Sequence, residues 1–87
     1  MFTVEFSRDA SRYLRRLDRP TQQGIVAVVR ELQVDPFGLG TKPLAGSGGN
    51  RAARVGGWRV IFQVDSARQL VSISDIGPRG QIYRNLR

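Results

Sequence analysis

The chain has 87 residues, formal net charge +7, no cysteine and no histidine. That length makes one domain, residues 1–87. The missing residue types exclude a disulfide framework, a thiolate nucleophile, Ser-His-Asp and Cys-His triads, and every zinc motif that needs histidine. No apolar stretch approaches a membrane span, and the start of the chain goes straight into alternating residues with no basic, apolar leader. Neither a membrane partner nor a signal peptide is expected, and the absence of cysteine suits a reducing cytoplasm.

Phe2, Val4 and Phe6 alternate with Thr3 and Glu5, which predicts a short half-buried strand. Ser7 and Asp9 offer helix-start chemistry, and Ala10, Tyr13, Leu14 and Leu17 follow at helical spacing. Arg8, Arg12, Arg15 and Arg16 lie largely off that stripe. With Arg19 they read most simply as a solvated face. Asp18-Arg19-Pro20 opens a second helix, whose stripe is Ile25, Val28, Val29 and Leu32. Its β-branched content makes it dependent on packing. Asp35-Pro36 ends it.

Five glycines and two prolines between Pro36 and Asn50 predict a loop, with Leu39 and Leu44 as its anchors to the core. Lys42 lies in this loop with no Walker pattern around it, and Gly46-Ser47-Gly48-Gly49 follows no strand as a dinucleotide fingerprint must. Arg51 to Val55 begins a β-rich stretch, and Gly56-Gly57 is a two-residue hairpin signal. Trp58 to Val64 is the strongest strand, Asp65 to Gln69 a turn, and Leu70 to Ile76 a last strand that Gly77-Pro78 ends. The fold class is therefore α+β. An N-terminal strand and two antiparallel helices pack on one face of an antiparallel sheet, completed by a three-stranded C-terminal meander.

Residues 51–87 hold seven arginines and two acids, an excess of +5 (seven minus two). Thirteen of the fourteen basic residues are arginine, a bias that a GC-rich genome also produces. Position therefore carries more weight than number. Alternation along the strands puts Trp58, Val60, Phe62 and Val64 under the helices with Ala53 and Val55. Arg54 and Ala52, then Arg59, Ile61 and Gln63, face the other way. Arg59 sits inside the most apolar strand, where a charge needs a partner or an anionic ligand. Asp75 or Glu5 would make it structural; a phosphate would make it functional. Arg79 follows the last strand, one helical turn from Tyr83 if the tail is helical. Tyr83 itself reads either as a ring docked on the core or as a reactive phenol.

These residues resemble a known family. The run Arg54-Val55-Gly56-Gly57-Trp58-Arg59-Val60-Ile61-Phe62 is similar to the R-V-G-x-(Y/W)-R-V-(I/L)-(Y/F) signature of RelE/ParE-superfamily toxins of type II toxin–antitoxin modules. Lys42-Pro43-Leu44-Ala45-Gly46 resembles the K-x-L-x-G that precedes it there. Arg79-Gly80-Gln81-Ile82-Tyr83-Arg84 resembles the R-x-x-(I/V)-Y-R ending of the RelE branch, and Val4-Glu5-Phe6 with Leu14-Arg15-Arg16-Leu17 resembles the family's opening.

The resemblance implies a RelE-like toxin, a ribosome-dependent messenger-RNA endonuclease without cofactor or metal. Its catalytic positions carry over to Arg54, Arg59, Arg79 and Tyr83. Arg51, Arg84, Arg87 and Lys42 are expected to contact RNA or the ribosome. A small RelB-like antitoxin that folds on binding is the implied partner, beside ribosome and messenger. The chain departs from the pattern at Ala52, where a basic residue is expected, and at Pro78, where many relatives carry histidine. Arg51 is one residue out of phase and is expected to point to the other face. RNA can supply its own 2′-OH as nucleophile, arginines offset transition-state charge, and Tyr83 is the candidate base. No general acid is evident, since arginine is a poor one. The rivals are a ParE-type inhibitor of DNA gyrase acting by protein contacts and a weakened RNA-binding relative.

Overall fold

The computed structural model describes residues 1–38 and 40–78. In chain order they form β1 (Thr3–Phe6), α1 (Arg8–Arg16), α2 (Arg19–Val34), β2 (Thr41–Pro43), β3 (Arg51–Val55), β4 (Trp58–Asp65) and β5 (Leu70–Pro78). The α+β class and the two helices on one sheet face are as expected.

The helix starts follow from their caps. Ser7 accepts a hydrogen bond from the Ala10 amide at 3.0 Å, and its hydroxyl donates to the Ser74 carbonyl at 2.8 Å. One side chain thus caps α1 and ties it to β5; such caps contribute about 0.5–2 kcal/mol. Asp18 caps α2, with Pro20 in the first turn. Hydrogen bonds from the Thr21 side chain and then its amide hold the Asp18 carboxyl below the usual carboxylate range.

The strand order is β1-β5-β4-β3-β2. Three features differ from the sequence expectation. First, β1 pairs with β5 in parallel, so the sheet is mixed. The chain leaves β1 through the helical crossover, enters the far edge and returns by successive reversals, which brings β5 alongside β1 in the same direction. Second, the meander has four strands, because Thr41–Pro43 in the expected loop pairs with β3. Pro43 lacks an amide donor, which the edge position of β2 tolerates. Third, the last strand runs on through Gly77 and Pro78, opposite Arg59 and Trp58. Leu39, one expected anchor of the loop, lies outside the described residues.

The core sits between helices and sheet: Ala10, Ile25 and Leu32 from the helices meet Ala53, Val60, Phe62, Val71 and Ile73. Trp58 joins this side, its ring 6.0 Å from that of Tyr13 in an edge contact. On the opposite face Ala52 and Ile61 are buried too, under Leu44. The β2–β3 loop also reaches Gln63, whose Nε2 donates to the Gly48 carbonyl at 3.5 Å. So the loop covers the apolar end of that face and leaves the charged end open.

Among the described residues no helix is long and apolar enough to cross a membrane.

Candidate functional site

The open end of the sheet is built by the β3–β4 hairpin. Val55 pairs with Trp58 around Gly56-Gly57, and Gly56 has φ +59. A positive φ at the first of two central residues matches the right-handed twist of the strands it joins. One rung further in, Arg54 pairs directly with Arg59. Residues directly opposite share a face, so both side chains leave the sheet on the same side. Like charges in that relation repel.

The two arginines differ in setting. Arg54 is exposed, whereas Arg59 is only 6% accessible. Arg59 Nη1 donates to the Trp58 carbonyl at 3.1 Å, which fixes the guanidinium against the backbone. On its other side Arg59 faces Gly77, which presents no side chain. A cleft of about 290 Å³ opens over these residues, lined by Gly40, Thr41, Lys42, Ala52, Arg54 and Arg59. Lys42 pairs with Ala52 across β2 and β3, which puts its ammonium on the same face as the arginines. Among the described residues, three cations and no carboxylate line this cleft. Such a lining suits an anion, and Arg59 is the cation whose guanidinium is held by a backbone hydrogen bond.

Arg51 does not join them. Its Nη2 donates to Thr41 Oγ1 at 2.9 Å, and its guanidinium carbon lies 5.0 Å from the Phe37 ring centroid. Alternation along β3 had put it on the other face, and there it braces the turn that leads into β2. Arg12, Arg15, Arg16 and Arg19 are exposed on the helical layer. Arg79, Tyr83, Arg84 and Arg87 lie outside the described residues. Lys42 and the backbone wall at Gly40 are the parts of the site that alternation did not reveal. The three-residue strand that carries the lysine is masked in sequence by the prolines and glycines around it.

Asp75 is not the counter-charge for Arg59. Burial raises its carboxyl above the usual value, and the negative charge of Asp9 raises it further. A guanidinium beside it would act in the opposite direction. Because the folded pKa exceeds the unfolded one, the native state holds its proton longer, and ionisation costs stability as pH rises past the ordinary value of 3.8. Asp75→Asn is therefore expected to raise Tm at pH 7 and to leave it unchanged at pH 3. Thermal melts at the two pH values check this; a lower Tm for the variant at pH 7 would mean that the charge itself is used.

A family model for the ParE toxin of the type II toxin–antitoxin system parDE matches residues 4–83. The chain has no match among curated proteins. Among solved structures it is similar to the Mycobacterium tuberculosis RelBE2 toxin–antitoxin complex, with 28% identity and TM-score 0.80 over 90% of this chain and 98% of the other. The isolated Escherichia coli RelE toxin superposes with TM-score 0.79 at 19% identity, covering 98% and 94%. The YoeB/ParE toxin of Agrobacterium tumefaciens gives 0.76 at 20%, covering 90% and 99%. At those two identities the likeness is one of fold.

Proposed function

Because the chain belongs to the ParE toxin family of type II toxin–antitoxin systems, within the RelE/ParE superfamily, we propose that it is a toxin that cleaves messenger RNA on the ribosome. The observation that carries this reading is the cross-strand Arg54–Arg59 pair at the base of an open cationic cleft. Two arginines directly opposite each other suit a phosphate that collects charge during reaction.

In the proposed step the 2′-OH of the messenger attacks the adjacent phosphorus. The O2′–P bond forms, the P–O5′ bond breaks, and the product carries a 2′,3′-cyclic phosphate. Arg54 and Arg59 offset the extra charge on the pentacovalent phosphorus. By the resemblance of the tail, Arg79 joins them and Tyr83 takes the 2′ proton. The chemistry needs no divalent ion, because the substrate supplies its own nucleophile.

The partner that silences such a toxin is a small RelB-like antitoxin with an acidic or amphipathic segment that folds over the arginine face. Charge complementarity makes that complex weaken as salt rises.

A messenger with a 2′-deoxy nucleotide at the scissile position is expected to resist cleavage on programmed ribosomes while the all-ribose control is cut. Equal cutting of both would refute the mechanism. Gyrase inhibition is the second reading, favoured by the match to the ParE model. A supercoiling assay on the same preparation separates the two: loss of gyrase activity with no messenger cleavage selects it.

A further inference from the structure

Resting on the endonuclease reading, we propose that Lys42 is the general acid of the cleavage step, giving its proton to the 5′-oxygen that leaves.

The departing ribose 5′-oxygen is an alkoxide unless it is protonated as the bond breaks, so an acid within reach of it lowers the barrier. Arg54 and Arg59 are unsuited to the task, because a guanidinium holds its proton throughout the accessible pH range. Thr41 is engaged elsewhere: its hydroxyl donates to the Gly38 carbonyl at 2.9 Å and accepts from Arg51 Nη2. Gly40 and Ala52 have nothing to give. Among the described residues that line the cleft, this leaves Lys42, the single lysine of the chain. An ammonium releases a proton more readily than a guanidinium and regains it from water.

The backbone places this lysine for the role. Lys42 lies directly across from Ala52, and the next residue of β3 on that face is Arg54. Ala52 is 3% accessible and offers only a methyl group. An aliphatic stem can lie over that methyl and carry its charged head toward the arginines. A longer side chain at position 52 would occupy the same space. The uncharged Ala52 leaves room for the lysine to reach across, and the site takes its third cation from the neighbouring strand. The step balances: the 2′ proton goes to the base, O2′ bonds to phosphorus, the P–O5′ bond breaks, and the Nζ proton goes to O5′. The neutral amine then takes a proton from water.

The test compares wild type, Lys42→Arg and Lys42→Ala in single-turnover cleavage on programmed ribosomes. Each acts on an ordinary messenger and on one with sulfur in place of the scissile 5′-oxygen. A thiolate leaves without a proton. Both variants are expected to lose roughly 10²–10⁴ in rate on the ordinary messenger, and to recover most of that loss on the sulfur substrate. Equal losses on both substrates would make Lys42 a phosphate binder and overturn the assignment. So would full activity in Lys42→Arg, which keeps the charge but cannot act as the acid. If wild type cuts the ordinary messenger and Lys42→Ala cuts it equally fast, the Lys42 assignment alone falls. If wild type cuts neither, the endonuclease reading falls and takes this one with it. Lys42 is exposed on an edge strand, so the variants keep the fold; thermal melts confirm that directly.

Discussion

Arg59→Gln is expected to abolish growth inhibition and to slow ribosome-dependent cleavage by roughly 10²–10³, the usual loss on removing one preorganised charge from a transition state. The protein should stay folded. Arg59 is 6% accessible, and glutamine fills much of the same volume. Glutamine also keeps a donor that can meet the Trp58 carbonyl now bound by Nη1. Arg59→Lys should fall between the two, since it keeps the charge but loses the planar fork that grips two phosphate oxygens. Growth of an inducible strain, cleavage on programmed ribosomes and a thermal melt together read the result. A stable Arg59→Gln that still inhibits growth at wild-type strength would remove Arg59 from the site. A variant that fails to fold would make the arginine structural, a role that Arg59→Lys would then rescue for folding and for activity alike.

The residues of this site differ in how plainly the chain announced them. Local chemistry was readable wherever it governs structure by itself. Ser7 and the Asp18-Pro20 pair start the helices, Gly56-Gly57 turns the hairpin, and strand alternation separates Ala53 and Val55 from Ala52 and Arg54. Arg51 was readable in part: its phase along the strand put it on the other face, but its contact with Phe37 depends on how the chain between them folds back. What stayed hidden depends on partners distant in sequence. The three residues of β2 have no pattern of their own and become a strand only because β3 offers them hydrogen bonds. The parallel pairing of β1 with β5 joins the two ends of the sheet-forming chain, and no local signal reports it. Gly77-Pro78 looks like a strand terminus, yet the ladder continues through both, and Gly77 gives Arg59 a neighbour without a side chain. Lys42 was marked for RNA contact, but its place beside Ala52 needed the register of β2.

Arg54→Gln should make the free protein more stable and, on the proposed reading, slow cleavage. The direct Arg54–Arg59 pairing puts like charges opposite each other on neighbouring strands, a relation that is destabilising. Removing one of the two relieves it. Arg54 is exposed, so no cavity or buried unpaired group offsets the gain. The gain should be largest at low ionic strength and shrink as salt screens the pair. Inorganic phosphate should stabilise the wild type by binding the folded state, and Arg54→Gln much less, since half of its pair is gone. Cleavage should fall by a factor comparable to that for Arg59→Gln, because in the proposed step both guanidiniums face the same developing charge. Urea melts at low and high salt, with and without phosphate, read the stability half; single-turnover cleavage reads the other. A residue kept for the fold loses stability when it is removed. One kept for its ligand carries a cost in the empty protein that the ligand offsets, and opposite signs in the two measurements would identify Arg54 as the second kind. A variant that is less stable than wild type at low salt would contradict the repulsion on which this reading of the cleft depends.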